Sequence, residues 1–261
     1  MSCLGALPDS QLAALTAMTV LDRGPPRPSL GSDAMRRVLV VLATFIGFLA
    51  LAMRAYERWY FPRDPHRDAD PQARVVSPAD GRIVYVAHVE GGAVPIAIKN
   101  RREIPLDEIV KGEDRPPAGT LIGIFMSPFD VHYQRSPIAG VVGEVTYHPA
   151  AFNHVMGSMF LRNLVGAQPF HEKSPHIYAN ERNVIRIDGN DLTAFVVQIA
   201  DQQVNKIDCS VGVGDSVVAG DKIGMIRRGS QVDLFIPGLS PEDFPELRPG
   251  IKVRAGSTTI L

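Results

Sequence analysis

Residues Ile226-Arg227-Arg228-Gly229-Ser230-Gln231-Val232-Asp233-Leu234-Phe235 decide how the rest of the chain is read. From Ser230 onward the residues alternate, with Val232, Leu234 and Ile236 on one face and Gln231, Asp233 and Phe235 on the other, which is the period of a strand. Ser230 opens that strand. The glycine before it removes Cβ bulk and permits unusual backbone angles, so a strained peptide would bring the hydroxyl to the Gly229 carbonyl and permit an N-to-O acyl shift. A Gly-Ser pair is also ordinary turn chemistry. The surrounding motifs have to separate the two readings.

The chain has 261 residues, 45% of them hydrophobic, with 27 basic side chains against 28 acidic ones and a formal charge of -1. That length fits one domain or a modest pair with a real core, and the near-neutral balance gives no electrostatic reason to expect a nucleic-acid partner. Cys3 and Cys209 form no CxxC pattern and no disulfide framework, which points to a reducing compartment. The chain has 23 glycines and 21 prolines, and those of its C-terminal part break it into short apolar runs, the signature of a mainly β domain.

Working back from the strand to the N-terminus, Leu12 to Leu21 is a short apolar-periodic piece that ends at Arg23-Gly24-Pro25-Pro26-Arg27-Pro28, so residues 1–35 read as tail and linker. Val38 to Met53 carries no charge and is bracketed by Arg36-Arg37 and Arg54. It falls just short of the usual span of about 17 to 25 residues, so a tilted span, an interfacial anchor and a buried helix are all compatible with it. The flanking arginines and the following Trp59-Tyr60-Phe61 favour membrane attachment, with residues 36–58 as a membrane-associated helix. Arginines on both sides leave the orientation unread. A proline-spaced linker, residues 59–74, leads into a domain at 75–261. Its expected strands are Arg82 to Val89, Ala93 to Ile98, Leu121 to Met126, Val141 to Tyr147, Val184 to Ile187, Leu192 to Ile199 and the stretch from Ser230. Between Phe152 and Arg182 lies a less regular region whose Phe152, Met156, Met159 and Phe160 either line an apolar site or cover a core. Val211 to Gly224 is similar to the turn-rich part of a barrel-sandwich domain, and Leu247 to Val253 reads as a closing hairpin. The expected fold is therefore α+β, mainly β with barrel-sandwich-like sheets, flanking helices and an N-terminal membrane-associated helix.

Three motifs precede the Gly-Ser pair. Val76-Ser77-Pro78-Ala79-Asp80-Gly81-Arg82 puts a carboxylate before a glycine turn, by itself an ordinary Asp-Gly turn. Phe125-Met126-Ser127-Pro128-Phe129-Asp130-Val131-His132-Tyr133-Gln134-Arg135 supplies His132, the side-chain type suited to proton transfer near neutral pH. Phe170-His171-Glu172-Lys173-Ser174 and Asn180-Glu181-Arg182-Asn183 read singly as polar loops closed by surface ion pairs. His132, His148, His154, His171 and His176 contain neither HxxxH nor HExxH, so no metal site is expected.

In this order the motifs, together with Tyr60-Phe61-Pro62-Arg63-Asp64-Pro65, resemble the phosphatidylserine decarboxylase family in its shorter form, over about Tyr60 to Leu261. The resemblance implies a self-processing enzyme that cleaves itself between Gly229 and Ser230 and converts Ser230 into a covalent pyruvoyl group. That cofactor would condense with the amine of phosphatidylserine and accept the electrons released as CO₂ leaves, giving phosphatidylethanolamine. It also implies Asp80, His132 and Ser230 as acid, base and nucleophile. The longer form has two histidines three residues apart where this chain has His132 and Arg135. His132 matches the one linked with decarboxylation, so the base for self-cleavage stays open among Asp80, His132 and an Arg135-stabilised oxyanion. The processing motif reads Arg228-Gly229-Ser230-Gln231 where longer members usually have Leu-Gly-Ser-Thr. A literal Gly256-Ser257-Thr258 lies too near the C-terminus to leave a strand after cleavage. The implied partners are an anionic phospholipid, the cell membrane with the catalytic domain on its cytoplasmic side, the chain's own cleaved C-terminal piece, and a second copy in a homodimer. The alternative from another class is a non-catalytic, membrane-anchored barrel-sandwich binding module, for which Lys206 and Lys222 lack the hairpin context of a modified lysine.

Overall fold

The structure, a computed structural model, describes residues 30–89, 118–202, 207–227 and 230–261. The expected helical piece at Leu12 to Leu21, the expected strand at Ala93 to Ile98, and Cys3, Lys206, Arg228 and Gly229 lie outside them.

The apolar run is helical, and the helix α1, Leu30–Ala55, starts ahead of Arg36. None of its described residues is buried and Leu39, Val41 and Phe48 are well exposed, which removes the buried core helix among the three alternatives. It is long and apolar enough to cross a membrane. A π-helical turn, Tyr56–Tyr60, follows and belongs to the second compact unit, Tyr56–Leu261.

That unit is built on an antiparallel sheet of eight strands. In chain order the strands are β1 (Gly81–Val89), β2 (Gly119–Met126), β3 (Tyr133–Arg135), β4 (Gly140–His148), β5 (Arg182–Asp188), β6 (Thr193–Ala200), β7 (Ile207–Cys209), β8 (Ser216–Val217), β9 (Lys222–Ile226), β10 (Ser230–Pro237) and β11 (Lys252–Val253). The large sheet runs β11-β1-β2-β10-β6-β5-β4-β8, and β3-β9-β7 form a second, three-stranded sheet. Leu247 to Val253 is not a hairpin: only Lys252 and Val253 pair, and they pair with Arg82 and Gly81 at the edge of β1.

β2 and β10 sit in the middle of the large sheet and are buried along nearly their whole length. Two apolar layers cover the two faces. Ile122, Ile124, Met126, Val196, Val232 and Leu234 pack on one, and Leu121, Phe125, Met159, Phe170, Ile177 and Phe235 on the other. The second layer closes because the region after Phe152 folds over the sheet as two helices, α2 (Gly157–Val165) and α3 (His176–Ala179). α2 divides its apolar residues. Met159 and the preceding Met156 point inward, whereas Phe152, Val155, Leu161, Leu164 and Val165 are exposed. Gly123 is needed here, since a Cβ on it would collide with the Tyr85 ring. Full burial of Val232, Leu234 and Ile236 is worth about 1.5–3 kcal/mol each. With ladders to β2 and β6 on its two sides, β10 is anchored independently of the chain that precedes it.

Candidate active site

Ser230 is the first residue of β10, fully buried, with Met126 of β2 opposite on one side and Ala200 of β6 on the other. Its Oγ donates to the Met126 thioether sulfur at 3.3 Å. A thioether is a weak acceptor, so no strong acceptor among the described residues holds the hydroxyl. The same sulfur receives Gln134 Nε2 at 3.6 Å, and that amide also donates to the His132 carbonyl at 2.9 Å. Gln198 Nε2 donates to Gln134 Oε1 at 2.8 Å, and Asn183 Nδ2 to Gln198 Oε1 at 2.9 Å. All five side chains are buried. A chain of neutral amides therefore runs beneath the sheet from Asn183 to the sulfur that faces Ser230. Gly224 opens the space, because a Cβ there would meet Gln198 Nε2 at 2.6 Å.

His132 joins this cluster through its backbone. Its carbonyl accepts from Ile226 N at 3.4 Å, the last residue of the strand that leads into Arg227 and on to Ser230. Its Nδ1 faces the Asp130 carbonyl at 3.0 Å. A carbonyl only accepts, so Nδ1 carries the proton and Nε2 bears the free lone pair. That Nε2 is buried without a partner among the described residues. Burial pulls the imidazole down to about 4, against the opposing pull of the Asp130 carbonyl and carboxylate, with the Arg63 charge adding to the fall. His132 is therefore neutral at physiological pH and able to take a proton. Phe61 covers the ring, with centroids 4.3 Å apart. The segment holding Phe61 is fastened to the loop before His132 by Tyr56 Oη on the Pro128 carbonyl and by Arg63 on the Phe129 carbonyl.

The other expected residues sit elsewhere in the same region. Asp80 accepts from Arg67 Nη2 at 2.7 Å and from the Ala255 amide at 2.7 Å. Among the described residues, no hydrogen bond links Asp80, His132 and Ser230 to one another. Asp80 locks the Arg67 linker onto the C-terminal turn. The glycine after it passes so close to β2 that a Cβ would collide with the Phe125 carbonyl. Arg135 donates to the Gly220 carbonyl at 2.7 Å and pairs with Asp64, which also pairs with Lys222 at 2.9 Å. Its guanidinium thus fastens the linker to the β8–β9 turn. Gly256-Ser257-Thr258 forms a hydrogen-bonded turn, with Thr258 N on the Arg254 carbonyl at 3.0 Å, and opens no strand. Among the described residues, no group of three or more His, Cys, Asp and Glu side chains is placed to hold a metal ion.

The opposite face of β10 carries a second buried cluster that the sequence does not announce. Gln231 Nε2 donates to Tyr85 Oη and to Asp233 Oδ1, both at 2.7 Å; Tyr85 donates to Asp233 Oδ2 at 2.7 Å, and His176 Nε2 lies 3.3 Å from Gln231 Oε1. Burial pushes the Asp233 carboxyl up to about 6 and the Tyr85 phenol well above its ordinary range, and burial also lowers His176 to about 4. Asn180 donates to the Ala200 carbonyl at 2.6 Å and the His154 carbonyl at 2.8 Å, which ties the loop after Phe152 to the residue beside Ser230. The Asn180 to Asn183 motif is thus buried scaffold at Asn180, Arg182 and Asn183, where its surface reading placed exposed ion pairs. Gln198 and Asp233 were detectable as lone polar residues inside apolar strands, but their partners come from distant parts of the chain.

The family model described as phosphatidylserine decarboxylase matches residues 58–261. A phosphatidylserine decarboxylase proenzyme of Chlorobium phaeovibrioides is 31% identical over 82% of this chain and 80% of its own length. The proenzymes of Chlorobium luteolum and Saccharopolyspora erythraea are 33% and 35% identical, over 81% and 82% of this chain and 81% and 76% of theirs.

Proposed function

Because the chain belongs to the phosphatidylserine decarboxylase family, we propose that it converts phosphatidylserine to phosphatidylethanolamine and CO₂ after cutting itself between Gly229 and Ser230. The observation that carries this is Ser230 itself: a buried serine at the head of a central strand, its hydroxyl facing, among the described residues, only a thioether, in one cluster with a neutral histidine.

In the cleavage step Ser230 Oγ attacks the Gly229 carbonyl and gives up its proton to His132 Nε2, the lone pair that the Asp130 carbonyl leaves free. The peptide nitrogen leaves as the amine of an ester. Elimination then releases the Gly229 carboxylate and a dehydroalanine, and water replaces its nitrogen as ammonia. The surroundings of Ser230 fit a pyruvoyl group: its cross-strand neighbours are a small alanine and a flexible methionine, and after the break the β2 ladder holds residues 230–237 and the β6 ladder residues 230–235. When formed, that group supplies a ketone that takes up the electron pair released with CO₂.

His132 also serves as the proton-transfer group in turnover, and Phe61 keeps water from its ring. Asp80 and Arg135 act as positioning residues, fixing the linker that carries Phe61. α1 anchors the enzyme in the cell membrane, with the domain on the cytoplasmic side, where the exposed free thiol of Cys209 is at home. The outward apolar residues of the Phe152 to Val165 region meet the acyl chains.

The test is the intact mass of the denatured protein beside Ser230→Ala, together with CO₂ release from phosphatidylserine. Two chains divided after Gly229, the smaller starting with pyruvoyl and lost in the variant, are expected. A single full-length chain in both samples removes the electron sink and leaves a binding module.

A further inference from the structure

On the face of the sheet that α2 covers, opposite the Ser230 side chain and bounded by Ser127 and Asp130 of the loop before His132, lies a cavity of about 190 Å³. That is roughly six water volumes, the scale of a small polar headgroup. Its floor is set by register. Lys252, Arg82 and Phe125, which line it, stand in register with Gln231 beyond its edge across β11, β1, β2 and β10, so Arg82 is two strand spacings, about 10 Å, from the residue that follows Ser230.

The wall has a consistent chemistry. Arg82 and Lys252 both line the cavity, and among the described residues neither is in an ion pair. Among the described residues Arg82 makes only a long 3.4 Å bond, to the Gly250 carbonyl. Asp130, the single carboxylate of the lining, is engaged through Oδ2 by the amide and hydroxyl of Ser127 at 2.8 and 2.6 Å. Asn163 of α2 also lines the cavity, and its Oδ1 is buried without a donor while its amide nitrogen bonds the Met159 carbonyl at 2.9 Å. Beyond these polar groups the mouth is apolar, with Phe129 and Leu164 largely exposed. Two uncommitted cations, an acceptor waiting for an N–H and an apolar exit describe a receptor for an amphiphile with a phosphodiester and a nearby amine.

We infer that this cavity is the subsite for the phosphodiester of the lipid headgroup, with Arg82 and Lys252 as its cations. The inference rests on the decarboxylase reading for its substrate, though not for its geometry. A phosphate held there directs the headgroup amine along the sheet toward Gln231 and the head of β10, where it reaches residue 230 around the end of the strand, and the glycerol and acyl chains leave past Phe129 and Leu164.

The experiment uses the full chain with Arg82→Gln and Lys252→Gln combined, assayed on phosphatidylserine in mixed micelles. Loss of charge-assisted bonds predicts a KM raised about 10- to 100-fold, a smaller change in kcat, and unaltered division into two chains. Arg82→Lys with Lys252→Arg should restore most of the affinity. Normal cleavage with an unchanged KM overturns the subsite. A second measurement does not depend on turnover: phenylglyoxal labelling of Arg82 in uncleaved Ser230→Ala, read by peptide mass. Micelles containing phosphatidylserine should protect Arg82 where phosphatidylcholine micelles do not. Equal labelling in both, or protection by inorganic phosphate at the same concentration as the lipid, overturns the headgroup assignment. If the wild type neither divides nor releases CO₂, the decarboxylase reading falls, and the labelling result still decides the cavity.

Discussion

The two faces of β10 carry opposite electrostatics. Beneath Ser230 lies a neutral chain, Asn183, Gln198, Gln134 and the Met126 sulfur, with His132 as its one titratable member. Behind Gln231 lies an ionisable cluster, Asp233, Tyr85 and His176, with the Arg182 charge acting on it. A nucleophile that must lose its proton to one base benefits from a surrounding that offers no competing acid or base. The second face has the character of a clamp: it fixes the side chain next to Ser230 with three hydrogen-bonding partners. One strand thus separates the proposed reacting atoms from the groups that hold them.

The sharpest way to break this comparison is to remove one histidine from each face. His132→Asn should slow the division into two chains by about 10²- to 10⁴-fold, the usual worth of a general base. His176→Asn, behind the same strand, should leave the rate within a few-fold. The measurement is the half-life of the full-length chain after synthesis. Equal effects from both substitutions would mean that the two faces do not differ in role.

Gln134→Leu tests the neutral chain itself. It strands Gln198 Nε2 and removes the stronger donor to the His132 carbonyl. At about 1–3 kcal/mol for each buried group left unpaired, the protein should lose roughly 2–4 kcal/mol in denaturant unfolding. A loss under about 1 kcal/mol would show that the amides are not coupled as drawn.

The ionisable face is tested by pH. His132 and His176, held near 4 against an ordinary 6.5, bind fewer protons folded than unfolded between those values. Their stabilising contribution is present above 6.5 and lost as the pH falls toward 4. Asp233, held near 6 against 3.8, binds more protons folded, so its contribution is present below 3.8 and lost as the pH rises through about 6. From about pH 4 to 6 the signs oppose. Asp233→Asn removes the compensating group, and the dependence of unfolding free energy on pH should steepen by about 1.4 kcal/mol per pH unit. An unchanged slope would mean that Asp233 ionises normally in the folded protein.

Much of the first face was legible in the sequence and little of the second. The alternation from Val232 to Ile236, the Gly-Ser pair and the order of the motifs located β10 and its serine, because strand period and turn chemistry are local. Five of the other expected strands, from Arg82 to Val89 through Leu192 to Ile199, lie on β1, β2, β4, β5 and β6 within a residue or two of their ends. The partners of Asp233 and Gln198 were not legible. Tyr85 precedes Asp233 by 148 positions and Gln134 precedes Gln198 by 64, and only the folded register brings them together. The same limit explains Asp80 and Arg135: their residue types suit catalysis, but what each one touches is decided by where the 59–74 linker lies.

The smallest expected effect concerns α2, which belongs to the clamp face yet turns part of its apolar surface outward. Met159 faces the core, and a polar residue there would unfold the cover of the sheet. Phe152, Leu161 and Leu164 are exposed, so Phe152→Ser with Leu164→Ser removes little folded-state packing. If these side chains meet acyl chains, turnover of long-chain phosphatidylserine in vesicles should fall several-fold through KM, while division into two chains and turnover of a short-chain, soluble analogue stay the same. A loss shared by both substrates would place the defect in the protein's own packing, and no loss in either would move the lipid contact away from α2. The split between long-chain and short-chain substrate is what separates a surface that holds lipid from one that merely covers the clamp.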